Sequence, residues 1–107
     1  MSQISQTPEP PYYAVIFTSL LREGDNGYGE MAAQMVELAS EQPGFLGVES
    51  AREELGITVS YWRDEESVRA WKQNARHIVA QQKGLQEWFA SFKVRVALVE
   101  RDYGFKI

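Results

Sequence analysis

"PGFLGVESAREELGITVSYWRDEESVRAWKQNARHIVAQQ", residues 43–82, is the stretch that decides the fold. Its first part contains two runs of strand-forming residues, 45–53 and 57–62, joined by the short link "ELG". A short link that ends in glycine predicts an antiparallel hairpin. Its second part, residues 64–82, has apolar residues at helical spacing and opens with Asp64, an N-cap residue type, followed by two glutamates. This part predicts a helix directly after the hairpin.

The segments on either side complete the pattern. Residues 12–21, "YYAVIFTSLL", predict a strand that is apolar on both faces, and residues 28–42 predict an amphipathic helix ended by a Pro-Gly pair. Residues 85–92 predict a short helical turn and residues 93–105 a last strand. The order β-α-β-β-α-β is that of an α+β, ferredoxin-like split βαβ fold. Right-handed crossovers then place both helices on one face of a four-stranded antiparallel sheet.

The length of 107 residues suits one domain, predicted over residues 12–107. Residues 1–11 hold three prolines and predict an extended, mobile tail. That segment lacks the pattern of a secretion signal, and no apolar stretch has the length of a bilayer span. We therefore expect a soluble, cytoplasmic protein that does not bind membranes.

Composition excludes several kinds of site. The chain has no cysteine, which rules out disulfides, thiolate nucleophiles and cysteine-ligated metals, and its one histidine rules out a multi-histidine metal site within a chain. The net charge of −4 disfavours a nucleic-acid partner. Residues 1–66 carry 3 basic and 12 acidic groups, and residues 67–107 carry 8 basic and 3 acidic groups. The two halves either attract each other, in one fold or across a dimer, or form two differently solvated surfaces.

The predicted sheet is apolar on both faces. A sheet with one face in water shows a cleaner polar alternation, so this pattern predicts a homodimer whose two sheets face each other. The alternative is a different register that leaves one face polar enough for a monomer. The residues concerned are Phe92, Val94, Val96 and Leu98 against Ala97 and Val99 in the last strand, and Val15 and Phe17 against Ala14 and Ile16 in the first.

"PGFLGVESARE" followed by "GITVSYWRDEESVRAWKQNARHIVAQ" resembles the antibiotic biosynthesis monooxygenase family, which has the dimeric α/β-barrel fold. The resemblance runs from about Tyr12 to Phe105. It implies a pocket in each subunit between the sheet and the second helix. It also implies oxidation of polycyclic phenols by molecular oxygen without a metal, or, in a branch of relatives, degradation of haem as both substrate and cofactor. Trp71 matches the pocket tryptophan of the haem-degrading branch. That branch's histidine lies further along the helix than His77, and its strand-one asparagine has no counterpart here, so haem is disfavoured.

The second helix has three stripes at about 100° per residue: an apolar side for the sheet, a basic side for water and an uncharged flank between them. The apolar side carries Val68, Trp71, Ala75, Ile78 and Val79. The basic side carries Arg69, Lys72, Arg76 and Lys83, and the uncharged flank carries Asn74, His77 and Gln81.

The uncharged flank is the predicted site. His77 is the candidate catalytic base, which would remove a phenolic proton before oxygen reacts, and Asn74 or Gln81 would bind a substrate carbonyl. The alternative for His77 is a surface contact or a bond to a backbone carbonyl.

Three further residues are predicted to bind substrate. Trp71 would stack on a flat ring, with core packing as its alternative, and Trp62 is a second candidate for which core packing is the favoured interpretation. Arg95 would stabilise an oxyanion, with an interfacial ion pair to a residue such as Glu49 as its alternative. Its predicted companions on one face of the sheet are Thr18, Ser50 and Ser60.

The leading hypothesis is a homodimeric, cofactor-independent monooxygenase that acts with O₂ on a small aromatic or quinol-type substrate. The alternative is a non-catalytic dimeric domain that binds a small molecule or serves in assembly, and a haem-binding relative comes third. A structure separates the first two, since the alternative requires Trp71 and its neighbours to fill the pocket.

Overall fold

The computed structural model describes residues 3–23, 27–82 and 87–105, and for residues 78–82 it describes the backbone alone. The predicted order β-α-β-β-α-β is confirmed. The elements are β1 (Tyr12–Leu21), α1 (Tyr28–Ser40), β2 (Phe45–Arg52), β3 (Leu55–Trp62), α2 (Glu65–Gln82) and β4 (Phe89–Val99).

The four strands form one antiparallel sheet in the order β2-β3-β1-β4. Its helix face carries Tyr13, Val15 and Phe17 of β1, which pack in the core clusters below α1 and α2. The opposite face, here called the open face, carries the intervening β1 residues and the residues paired with them. Those on the open face of β1 are Tyr12, Ala14, Ile16, Thr18 and Leu20.

Two apolar clusters hold the helices on the sheet. One is centred on Trp62, which is 0% exposed, and buries Ala39 of α1 and Val68 of α2 against it. The other joins Met31 of α1 to residues 88 and 89 at the start of β4. Full burial of a large apolar side chain contributes about 1.5–3 kcal/mol, so the two clusters fix both helices on the same face.

The connection from β3 to α2 follows from two local features. Asp64 accepts hydrogen bonds from the Ser67 amide (2.8 Å) and hydroxyl (2.7 Å), which confirms it as the N-cap of α2. Gly44 has φ +85°, and a β-carbon there would collide with the Ser67 side chain. The end of α1 and the start of α2 therefore approach each other closely at a position that only glycine allows.

The main differences from the predicted element boundaries lie at both ends of β4 and at the start of β3, and β4 ends at Val99 although residues 93–105 are predicted as strand. Residues 89–92, predicted as helical, belong to β4, because Phe89 pairs with Leu21 and is buried against α1. Leu55, predicted in the hairpin link, begins β3 and pairs with Leu20. Residues 83–86, which include the rest of the predicted helical turn, lie outside the described residues.

The N-terminal segment contacts the sheet. Ser5 donates from its amide to Glu49 (2.9 Å) and from its hydroxyl to the Val48 carbonyl (3.1 Å). Thr7 donates to the Tyr12 hydroxyl at 3.0 Å. Because Glu49 and Tyr12 both belong to the open face, these contacts seat the segment on that face, beside β2 and the start of β1. The mobility expected from its sequence stays a prediction.

Both faces of the sheet leave apolar side chains uncovered. On the helix face these side chains, here called the β4 strip, are 41–52% exposed, because α1 packs on β2 and α2 packs on β1 and β3; they are Phe92, Val94, Val96 and Leu98. On the open face, Leu20, Leu55 and Ile57 are each more than 40% exposed. No helix among the described residues is long and apolar enough to cross a membrane.

Candidate functional site

The three predicted stripes of α2 are present where its side chains are described. Val68 is buried and Trp71 and Ala75 are half-buried, while Arg69 and Arg76 are exposed. The flanking Asn74 and His77 are also exposed. The side chain of Gln81, the third residue of that flank, lies outside the described residues, so its predicted role remains a prediction.

Trp71 packs on another tryptophan. Its ring stacks on Trp62 with centroids 5.9 Å apart and planes 22° from parallel. Trp62 also meets Phe45 edge-on and donates from Nε1 to the Ser60 hydroxyl at 2.8 Å. With no exposed surface and a satisfied N–H, Trp62 belongs to the core, and its predicted role in substrate binding stays a prediction.

The half-exposed face of Trp71 borders a shallow cleft of about 270 Å³. The cleft lies between the α1–β2 connection and the first turns of α2. Its lining residues are Gln42, Pro43, Arg63, Asp64, Glu66, Ser67, Ala70 and Trp71. His77 is not among them, so the structure brings Trp71 to a surface cleft but does not bring the predicted base to the same one.

Asn74 and His77 lie on the outer flank of α2. Asn74 donates to the Gln42 side chain at 3.1 Å, which ties α2 to the end of α1. His77 has an interaction partner of its own within the fold. Both side chains lie on the exposed flank of α2, between its apolar and basic sides, as the helical spacing predicts.

Arg95 and its predicted companions do not share a face. Arg95 pairs with Ile16 and so lies with Thr18 on the open face, whereas Ser60 pairs with Val15 on the helix face, and Ser50 lies there too. The predicted wet cavity of these four residues is therefore wrong. Arg95 and Thr18 instead line a second cleft, also of about 270 Å³. It lies where the end of β1 meets the first half of β4.

The open face carries two tyrosine–carboxylate bonds that sequence reasoning missed. The Tyr12 hydroxyl donates to Asp102, just beyond β4, and the Tyr61 hydroxyl donates to Glu49 at 2.7 Å. The two rings meet edge-on, 5.8 Å apart. Burial and then the bonded carboxylate raise the pKa of Tyr12, and the same causes raise the pKa of Tyr61 to about 12. Both hydroxyls therefore stay protonated near neutral pH, as hydrogen-bond donors rather than bases.

A second missed feature lies on the helix face at the opposite end from Trp71. Ser19 is buried and accepts a hydrogen bond from the guanidinium of Arg52, which lies across Gly56 and 5.4 Å from the centre of the Tyr28 ring. The only sequence signal is one serine inside an apolar strand. This arrangement locks the β2–β3 hairpin to the start of α1. Among the described residues, no cluster of His, Cys, Asp or Glu could hold a metal ion.

With this geometry established, similarity to known proteins assigns the family. The model of the family described as antibiotic biosynthesis monooxygenase matches residues 11–83, more than half of the chain. The chain belongs to the antibiotic biosynthesis monooxygenase family. It is also 53% identical to the uncharacterized protein YqjZ of Bacillus subtilis (strain 168), over 99% of this chain and 95% of that protein.

Solved structures confirm the fold. A cofactor-independent oxygenase, SnoaB from Streptomyces nogalater, matches with a TM-score of 0.66 at 12% identity, covering 89% of this chain and 97% of that one. A MhuD mutant with two manganese protoporphyrin IX bound per active site matches with a TM-score of 0.54 at 21% identity, covering 89% and 97%. The ferredoxin-like fold therefore occurs both in an oxygenase without a cofactor and in a porphyrin-binding protein.

Proposed function

We propose that this protein is a cofactor-independent monooxygenase that acts with O₂ on a small aromatic or quinol-type substrate. The observation that carries the proposal is the uncovered β4 strip on the helix face, in a chain of this family. Val96 and Leu98 of the strip are the cross-strand neighbours of Val15 and Tyr13, which pack in the same cluster as Trp71. An apolar wall thus extends outward from beneath α2, a surface suited to a flat ring.

The proposed chemistry starts with a proton transfer. His77 removes a phenolic proton, and Asn74 or Gln81 holds a substrate carbonyl, so that the electron-rich anion reacts with oxygen. One oxygen atom enters the substrate, and the other leaves as water with electrons that the substrate supplies. SnoaB, with the same fold, is a cofactor-independent oxygenase, which supports this reaction class.

The proposal includes a homodimer in the cytoplasm. Leu20, Leu55 and Ile57 form an exposed apolar patch on the open face, and burying such area contributes roughly 25 cal/mol per Å². A second copy placed against the open face would cover this patch while leaving the helix-face wall accessible. A chain without cysteine is compatible with a reducing cytoplasm.

Oxygen uptake tests the function. Purified protein is given a panel of polycyclic phenols and quinols in an oxygen electrode, and products are identified by mass spectrometry with ¹⁸O₂. Wild-type protein is expected to incorporate one labelled atom per turnover. His77→Ala is expected to lower kcat by about 100-fold, as loss of a general base does. Arg76→Ala, a neighbouring change on the solvent side of α2, serves as the matched control and keeps full activity. No uptake with any substrate, or equal rates for the two variants, would reject the proposal.

The stacking of Trp71 on Trp62 favours a second candidate, a non-catalytic dimeric domain that binds a small apolar molecule or serves in assembly. The cleft beside Trp71 is smaller than the roughly 300–1,000 Å³ of most ligand pockets. Val96→Lys separates the candidates, because a charge on the β4 strip should abolish turnover by an oxygenase but leave an assembly role intact.

Haem is the third candidate, since the MhuD mutant of this fold binds a metalloporphyrin. The described residues do not fit the group: the cleft is shallow, and Trp71 is held against the core. Titration with haemin is expected to give no sharp Soret band. A band that disappears in His77→Ala would instead support haem binding.

A further inference from the structure

We infer that the second cleft, where the end of β1 meets the first half of β4, binds a small apolar carboxylic acid, with Lys93 and Arg95 at its carboxylate. The proposed oxygenase reaction uses the helix face of the sheet, so this site on the open face is additional to it. The open-face residues that line the cleft are Thr18, Leu20, Leu55, Ser91, Lys93 and Arg95.

This lining has a cationic part and an apolar part. Lys93 and Arg95 are two residues apart in β4, so both side chains leave the strand on the same face, roughly 7 Å from each other. Thr18 is the cross-strand partner of Lys93 and adds a hydroxyl beside it. Leu20 and Leu55 pair with each other and are 41% and 49% exposed. A ligand with an anionic head and an apolar body matches both parts.

The charge of the cleft is of one sign. Among the described residues, no carboxylate forms an ion pair with Lys93 or Arg95. The cleft beside Trp71 has the same volume, but there Arg63 forms an ion pair with Asp64 at 3.3 Å. The cations of the open-face cleft therefore keep their capacity for an anion from outside the chain, whereas the cleft beside Trp71 balances its own charges.

The chemistry of the two cations favours a carboxylate. The guanidinium of Arg95 offers parallel N–H donors that match the two oxygens of a carboxylate, and the ammonium of Lys93 adds a point charge. The volume of about 270 Å³ lies just below the roughly 300–1,000 Å³ of most ligand pockets, which limits the ligand to a small acid. Because the apolar part is formed by two leucines, an alkyl carboxylate is a suitable probe.

The cleft belongs to a single chain. Leu20 and Leu55 are also part of the patch that the proposed homodimer would cover, so in that dimer the acid would lie between the two copies. It would there supply the counter-charge for two cations whose burial is otherwise costly. The site agrees with the homodimer but does not require it, and a monomeric protein that binds the acid keeps this inference.

Calorimetric titration with octanoate tests the site. Two matched probes separate its parts, since acetate has the carboxylate without the tail and 1-octanol has the tail without the charge. Wild-type protein is expected to bind octanoate at least about tenfold more tightly than either probe, because octanoate alone occupies both parts. Arg95→Gln and Lys93→Gln should each weaken octanoate binding about tenfold, through loss of a charge-assisted bond. Arg76→Gln, which removes a charge from the solvent side of α2, is the control and keeps the wild-type affinity.

Methyl NMR locates the bound acid. Octanoate is expected to shift the methyl signals of Leu20 and Leu55 on the open face more than those of Val94 and Val96 on the helix face. Shifts confined to the two valines would place the acid on the β4 strip and overturn the inference. Equal affinities for octanoate and acetate, or unchanged octanoate affinity in both glutamine variants, would also overturn it. Oxygen uptake is measured separately, so a protein that binds the acid without consuming oxygen rejects the oxygenase alone.

Discussion

On the helix face, stacked tryptophans join β3 to α2 and only the β4 strip stays uncovered, whereas the open face is crossed by hydroxyl–carboxylate bonds and has a charge at each edge. On the helix face, Trp62 and Trp71 join the strands to α2 through apolar contact. On the open face, Tyr12 and Tyr61 satisfy their hydroxyls within the chain, yet Leu20, Leu55 and Ile57 stay exposed. One face therefore stabilises the subunit, and the other is the face that we propose joins two subunits.

Replacing Trp62, the centre of the apolar cluster on the helix face, should have the largest effect on stability. Trp62→Ala is expected to lower the free energy of unfolding by about 3–5 kcal/mol, because it leaves a cavity between the sheet and both helices. Urea denaturation followed by circular dichroism measures the loss. Tyr103→Ala, at a residue 99% exposed, is the control with little change. A loss below about 1 kcal/mol for Trp62→Ala would show that the helix face is not the main source of stability.

A charge on the open face should act on association instead. Ile57→Asp is expected to weaken the proposed dimer about a hundredfold or more, because an unpaired carboxylate would be buried in the interface. Ser50→Asp places the same charge on the helix face of the adjacent strand and should leave the dimer intact. Analytical ultracentrifugation compares the two. Equal dimers would mean that the open face is not the contact surface.

The tyrosine bonds of the open face should give an alkaline signature. Burial and the bond to Glu49 raise the pKa of Tyr61 to about 12, above its ordinary value of 10. A raised pKa in the folded state means that the stabilisation is complete below pH 10 and is lost as the pH rises through about 12. Tyr61→Phe removes one hydrogen bond, at a cost of about 1 kcal/mol near neutral pH.

Thermal unfolding from pH 8 to pH 11.5 measures this signature. The Tm of Tyr61→Phe should fall less steeply above pH 10 than that of wild type, while Tyr103→Phe, at an exposed position, should follow the wild-type curve. Parallel curves for Tyr61→Phe and wild type would contradict the assignment of the alkaline loss to this hydroxyl.

Local patterns predicted most of the fold. The bounds of β1, the N-cap at Asp64 and the faces of α2 all follow from spacing along a single segment. The start of β4 does not, because residues 89–92 are extended only through pairing with β1, a contact distant in the sequence. Alternation alone cannot tell such a run from a helical turn.

The candidate site was harder to predict for the same reason. Each strand shows its own alternation, but the register between strands decides which residues share a face. That register pairs Ser60 with Val15 and Arg95 with Ile16, which puts the two residues on opposite faces of the sheet. Without it, Arg95 and Ser60 seemed to share a face. The sequence also leaves two interpretations of Trp62, core packing and substrate binding. Its hydrogen bond to the Ser60 side chain exists only in the folded strand and is not visible in the sequence.

The smallest effect on stability is expected at the exposed flank of α2. A substitution there tests whether the residue binds a ligand or only joins the two helices. Asn74 is exposed, and its bond to Gln42 at 3.1 Å is open to water. Asn74→Ala should therefore change the free energy of unfolding by no more than about 0.5 kcal/mol. If Asn74 binds a substrate carbonyl, kcat/KM should still fall about tenfold, since that bond is worth about 1.4 kcal/mol. Gln73→Ala, at the adjacent exposed position, is the control for both measurements. Unchanged turnover in Asn74→Ala would assign this residue to the contact between the two helices alone. A large loss of stability would show that this contact also contributes to holding the helices on the sheet.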